Sequence, residues 1–354
     1  MGARSLILLV AIAGVAVVAA VLLNAGNPAD PSVAAAATTT IATSTTPTST
    51  PATDEPATTT EAETPTTSTE PSTTQAVPST TTLPEGVAVC DLYGEVRNVG
   101  VVESEEIVEA SGAAASRISP GVVWVHNDSG GGPSAYAVGP EGQDLGSFPI
   151  PGATAFDWED MAAGPGPDRE STYLYFGDIG DNFTIRDGRI TVFRVPEVDP
   201  ATADRVLSSM VAIPFAYPDG SHNAEAIFVD PVDGSLYVVT KDDREALVFR
   251  GNGLADGSRV EALELVTVLE LGAEVTGADI SWDGSTIAFR GYETVWMWHR
   301  PAAATIAEAL DGEPCMAPSA DERQGESIAF MGDDAYTTIS EGANPPVHRV
   351  DREG

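Results

Sequence analysis

Lysine is almost missing from this chain of 354 residues: it occurs once, as Lys241, and all basic residues together number 17 against 53 acids. The formal charge of −36 argues against nucleic-acid backbones and anionic lipid surfaces as partners. Histidine is scarce too, and the four present lack metal-ligand spacing. The two cysteines make no zinc pattern, the GESIA run at 325–329 is not a nucleophile elbow, and no Gly-rich phosphate loop opens a helix. No nucleotide or organic cofactor is therefore indicated. Aromatics make up only 6% of the residues, and no convincing amphipathic helix exceeds about two turns.

What is present divides the chain in three. Residues 5–23, SLILLVAIAGVAVVAAVLL, form an unbroken apolar run just after Arg4. About 20 such residues cross a bilayer as a helix, whereas the apolar part of a cleaved signal is about 7 to 15 long. Residues 1–24 are read as a transmembrane anchor, with a signal segment cleaved near Ala25 or within 34–37 as the alternative. The remainder is then exported, either held at the cell membrane by one pass with its globular part outside or secreted after cleavage. Residues 25–85 are Thr, Ser, Pro and Ala with scattered acids, too poor in large apolar side chains to repay the entropy of folding. They read as a disordered stalk prone to O-glycosylation.

Residues 86–354 alternate apolar strands with Gly, Asp and Pro turns, the pattern of a single all-β domain. Its formal charge is about −30. Cys90 and Cys315 lie near its start and shortly before its last repeat; in an oxidising compartment they are expected to pair, with free thiols as the alternative. The domain is built from a repeat: a strand beginning small, acid, small, apolar, then a Gly or Asp turn, then a strand ending in polar residues. Its marker position is Ser111, Glu159, Glu225, Ala278 (with Asp279 beside it) and Glu326 in turn. The spacings of 48, 66, 53 and 48 residues approach the roughly 40 to 50 of a four-stranded propeller blade. The sequence predicts a single β-propeller of five blades, or six if residues 86–110 or 300–320 hide a degenerate one. Third strands follow as SAYAV, RITVFRV, ALVFRG, TVWMWHR and PVHRV, but the fifth blade ends with the chain, so its outer strand is expected from GEVRNVGVV near residues 94–102.

First strands line a propeller's channel, so Glu159, Glu225 and Glu326 should share a ring, with Asp160 and Asp279 one residue on, where strand alternation turns side chains toward the adjoining blade. Facing carboxylates repel unless a cation, an Arg or a shared proton compensates them, and Ca²⁺ is the simplest compensation. These five acids are the candidate metal ligands. Second strands end in further polar residues: His126, Asn127 and Asp128; Asp178, Asp181 and Asn182; Lys241; Arg290; and Ser340 with Glu341. In antiparallel blades both sets meet on one face, which makes that face the expected binding mouth. The competing reading gives these residues to turn chemistry and backbone capping.

HNDSG, DWEDMA, GDIGDN, YPDG before NAEAIFVDP, LYVVTK, TGADIS and GESIA, in that order, resemble a family of exported bacterial propeller proteins of unsettled activity, over nearly all of residues 86–354. More distantly, the acid, small residue and Ile or Met at inner-strand starts look like phytase-like or esterase-like propellers, a resemblance that implies calcium and ester or phosphoester hydrolysis. A Lys-rich funnel for a highly phosphorylated substrate is missing here. Three functions compete: a calcium-dependent hydrolase with Lys241 or Arg290 stabilising negative charge; a non-enzymatic surface module binding a glycan, peptide or protein; and a glycosidase with Trp158 as a stacking platform. Each expects a small-molecule, glycan or protein ligand at the mouth of a monomer, with membrane contact through the N-terminal segment only.

Overall fold

A computed structural model describes residues 83–128, 131–242 and 244–353, so the expected anchor and nearly all of the expected stalk lie outside the described residues. Among the described residues no helix is long and apolar enough to cross a membrane.

The chain opens with a 3₁₀ turn (Val89–Leu92) and strand β1 (Arg97–Val101), then builds five antiparallel sheets. Blade 1 is β2 (Ala110–Ala115), β3 (Val123–Asn127), β4 (Ser134–Val138) and β5 (Asp144–Pro149). Blade 2 is β6 (Trp158–Pro165), β7 (Thr172–Asp178), β8 (Arg189–Pro196) and β9 (Val211–Ala216). Blade 3 is β10 (Ala224–Val229), β11 (Ser235–Thr240), β12 (Ala246–Asn252) and β14 (Glu264–Leu269); on the way the short β13 (Glu261–Ala262) adds in parallel to β9. Blade 4 is β15 (Gly277–Ile280), β16 (Thr286–Arg290), β17 (Val295–His299) and β18 (Cys315–Ala317), with helix α1 (Ile306–Leu310) before β18. Blade 5 is β19 (Ala329–Phe330), β20 (Ala335–Ile339) and β21 (Pro346–Asp351), and its fourth strand is β1, paired antiparallel from Arg97 against Arg349 to Val101 against Pro346.

The fold is thus an all-β propeller of five blades. Closure comes from the amino end, as expected, and residues 86–110 and 300–320 supply β1, α1 and β18 rather than a sixth blade. Cys90 is joined to Cys315 with Cα atoms 5.9 Å apart, which ties the segment before β1 to the outer strand of blade 4.

The core consists of five wedges, one between each pair of neighbouring blades. Trp124 and Phe148 of blade 1 pack with Trp158, Phe176 and Phe193 of blade 2; Phe228 and Tyr237 of blade 3 pack with Phe289 and Trp298 of blade 4. Large side chains fill the wide outer parts of the wedges, while the inner strands converge and have room only for small residues, hence ASGAAA in β2 and AAG in β6. At Gly112 a Cβ would run into the imidazole of His126 and lie 2.8 Å from the carbonyl carbon of Asp160, so the approach of blades 1 and 2 requires glycine there.

Candidate functional site

Register puts both polar sets on one face. Ala110 pairs with Asn127, Trp158 with Asp178, Ala224 with Thr240, Gly277 with Arg290 and Gly325 with Ser340, so every first strand starts where its second strand ends.

Three carboxylates from two blades gather at this mouth. Asp128, just past β3, and Asp157 and Glu159, at the start of β6, each offer an oxygen within 4.8 Å of the others. Gly180 makes room for them: a Cβ there would run into Glu159 Oε1 and lie 2.6 Å from Asp157 Oδ2. Glu159 is buried, and its carboxyl is pushed well above the usual range by that burial, then by Glu225, Asp128 and Asp157, with Lys241 opposing.

Glu225 stands beside this trio with its own cation. Lys241 Nζ lies 3.1 Å from Glu225 Oε1 and donates to the Tyr292 hydroxyl at 2.8 Å, while Asn223 Nδ2 donates to Glu225 Oε1 at 3.2 Å. Burial works against the Lys241 ammonium, but Glu225 and Tyr292 outweigh it and hold its pKa above the ordinary lysine value. Burial raises the Glu225 carboxyl, with Lys241 and Asn223 pulling it back. Across the mouth, Glu326 and Glu341 hydrogen-bond to each other; burial first and Glu341 second push the Glu326 carboxyl up to about 9. Two carboxyl groups that hydrogen-bond to each other need a proton between them, which agrees with the raised Glu326 carboxyl.

The other expected ligands have different work. Asp160 is fully buried and accepts from the N–H of Met161 (2.8 Å), of Ile227 in blade 3 (2.9 Å) and of Ala278 in blade 4 (3.2 Å). Asp279 accepts from the N–H of Ile280 (2.8 Å) and of Phe330 in blade 5 (2.7 Å). Both join inner strands across blade boundaries, and neither stands with the trio. Burial raises the Asp279 carboxyl to about 6 against those donors.

Among the expected binding residues, Asn127 accepts from the N–H of Val108 and Glu109 and donates to Glu106 O, which fixes the approach to β2. His126 is fully buried edge-on to Trp158, its Nδ1 2.8 Å from Asn127 O, and burial lowers its pKa, so it stays neutral. Asp178 accepts from the N–H of Phe156 and Asp157 and pairs with Arg186. Asp181 accepts from the N–H of Ile185 and Arg186, and Asn182 Oδ1 accepts from Asn223 Nδ2. These residues build the loops that carry the site. Arg290 is fully buried: its Nη atoms reach Glu322 Oε2 (2.8 Å), Ser319 Oγ (2.8 Å) and Tyr292 O (3.3 Å). It is committed to Glu322, which also accepts from Thr338 Oγ1 and contacts His348 Nδ1. Trp158 is fully buried and donates to Thr154 O, which removes the expected stacking surface for a sugar.

Asp157, Asn223, Tyr292 and Glu322 are missing from the sequence-based set. Asp157 lies inside the DWEDMA motif, one position before the strand, and Asn223 inside the NAEA motif; Tyr292 and Glu322 carry no repeat signal.

No family model and no curated protein matches the chain. Solved structures that it resembles include the PQQ-bound form of an aldose sugar dehydrogenase from Streptomyces coelicolor, 12% identical with a TM-score of 0.44, covering 74% of this chain and 98% of that one. A nidogen/laminin complex is 14% identical with a TM-score of 0.39, covering 65% and 72%, and a mitotic checkpoint complex is 12% identical with a TM-score of 0.34, covering 67% and 60%. At these values the five-bladed architecture is read from the chain's own strand order, and no activity is carried over from these proteins.

Proposed function

We propose that this protein is a calcium-dependent hydrolase of carboxylic esters, carried outside the cell on its N-terminal apolar segment and stalk. The observation that carries the reading is the trio of Asp128, Asp157 and Glu159, three carboxylates within 4.8 Å at a propeller mouth that also carries the hydrogen-bonded Glu326 and Glu341. The donors are all hard oxygens, which fits Ca²⁺, and these three residues would hold it. Bound there, Ca²⁺ would neutralise the trio and polarise an ester carbonyl.

The chain's own residues supply the proton chemistry. Hydrolysis adds one water: its oxygen bonds to the acyl carbon while the bond from that carbon to the alcohol oxygen breaks. Glu225, made more basic by burial, takes a proton from the attacking water. The proton shared by Glu326 and Glu341 goes to the departing alkoxide, and the proton held by Glu225 restores the pair. A neutral ester suits the site better than a phosphoester because the cations near the mouth are spent: Lys241 on Glu225, Arg290 on Glu322 and Arg186 on Asp178.

The test is an assay of the purified full chain against carboxylic and phosphate esters with chelator and with Ca²⁺. The expected result is carboxylic ester hydrolysis that needs Ca²⁺ and falls at least a hundredfold, the order seen when a key electrostatic group is removed, in Glu159→Gln and Asp157→Asn. Activity that survives chelator or both substitutions would overturn it. Ca²⁺ binding without turnover of any ester would make the mouth a recognition site with structural calcium.

A further inference from the structure

Beside the trio, blade 2 holds apolar side chains out into water. Phe183 is 82% exposed, Ile185 63% and Phe156 59%, among the most exposed large apolar residues described. All three belong to the two blade 2 segments that meet at Asp157 and Glu159. Phe156 precedes Asp157 directly, and Phe183 and Ile185 lie at the tip of the 179–188 loop, whose Gly180 packs against Glu159 and Asp157.

The exposure is built rather than incidental. Asp181 accepts from the N–H of Ile185 at 2.7 Å and of Arg186, the Thr184 N–H returns to Asp181 O at 2.9 Å, and Asn223 Oδ1 accepts from the Asp181 N–H at 2.6 Å. Arg186 clamps the loop onto Gly180 O and both the carbonyl and carboxylate of Asp178, and its guanidinium lies 4.8 Å over one face of Phe156. Thr184 and Asp187 hold φ of 51° and 54°, left-handed conformations that cost side-chain-bearing residues energy. A loop that spends its polar groups and some strain on presenting Phe183 and Ile185 to solvent is positioned for an apolar partner.

We infer that Phe156, Phe183 and Ile185 form the subsite for the apolar half of the substrate, so that the ester is one with a medium or long aliphatic or aromatic acyl group. The inference rests on the hydrolase reading for what happens to the ester, and on the rim geometry alone for what binds. The acids behind the rim repel anionic groups, so the occupant is an uncharged apolar chain with its ester carbonyl directed at the trio.

The experiment compares 4-nitrophenyl octanoate with 4-nitrophenyl acetate, using the full chain in Ca²⁺, for the native protein and for Phe183→Ser and Ile185→Ser. The octanoate-to-acetate ratio of kcat/KM should fall roughly fivefold in each variant, mostly through KM, as expected for losing contact with one or two methylenes. A ratio that stays within the native value overturns the subsite. If neither ester is turned over, calorimetry of the uncharged octanamide against acetamide in Ca²⁺ decides separately. Octanamide binding weakened about fivefold by the variants keeps the subsite without the hydrolysis, and binding that is equal for both amides or unchanged in the variants overturns it.

Discussion

Calcium should stabilise the propeller by an amount that its size fixes. A ligand bound only by the native state adds about 2.7 kcal/mol at a concentration a hundred times its Kd. A domain of about 270 residues unfolds with an entropy near 0.6 kcal/mol per degree, from about 2.1 cal/mol/K per residue, so the midpoint should rise by about 5 °C. The assay is thermal unfolding of the full chain, first in chelator and then in titrated Ca²⁺. Asp157→Asn and Glu159→Gln should remove the rise while leaving the chelated midpoint equal or higher, because each takes a like charge out of a crowded trio. That second feature separates a lost ligand from a damaged fold. Mg²⁺ should shift the midpoint less, since it gives up its water reluctantly and demands octahedral geometry. An equal rise in native protein and both variants would put the ion elsewhere, and no rise at millimolar Ca²⁺ would refute the trio as a cation site.

Three further outcomes follow from buried charges. Asp160→Ala strands the N–H groups of Met161, Ile227 and Ala278, and at about 1 to 3 kcal/mol each it should cost roughly 3 to 9 kcal/mol in urea unfolding; a loss under about 1 kcal/mol would show that the blades do not depend on it. In chelator, stability should fall as pH rises from about 5 to 9. Glu326 keeps a proton in the native state up to about 9 that the unfolded chain releases near its ordinary value, so this group makes stability fall over that window; the buried His126 acts the other way only below its ordinary value, which leaves the upper part of the window to Glu326. Midpoints that hold steady or climb between pH 6 and 9 would contradict the shared proton. Arg290→Met leaves Glu322 buried without its cation and should cost about 3 to 5 kcal/mol. Its kcat should stay near native where the protein is folded, and a selective loss of kcat would give Arg290 a part in the chemistry.

Five blades are visible in the sequence because each inner strand repeats one short pattern at blade spacing, and the borrowed outer strand β1 is implied by a last repeat that stops one strand short. Strand β18 is not visible in the same way. Its three residues, Cys315–Ala317, are too few to alternate, and α1 separates them from β17. The site divides along the same line. Glu159, Glu225 and Glu326 follow from periodicity within blades, whereas the grouping of Asp128 with Asp157 and Glu159 depends on how the end of β3 leans against blade 2, a contact that no repeat encodes. Asp160 and Asp279, one residue past the ring position, accept from N–H groups that belong to other blades' inner strands. Arg290 ends its strand like the other polar residues; its partner Glu322 lies in an irregular segment before β19, which no pattern announces.

The acids of this domain separate by what accompanies them. Asp160, Asp178, Asp181 and Asp279 each receive two or more backbone N–H groups, and their negative charge serves to hold loops and blades in register. Glu159 and Glu326 are surrounded chiefly by other carboxylates, and burial with like charge raises both. Burial raises Asp160 and Asp279 as well, but their N–H donors act against it and tie the blades together, so the fold has a reason to retain them. An acid raised by its neighbours weakens the fold wherever it must ionise, and gathering several of them at one mouth costs stability that nothing in the packing returns. A cation, a transferable proton or a substrate would offset that cost, which is why the proposed function is placed at the mouth and not at the equally acidic blade junctions.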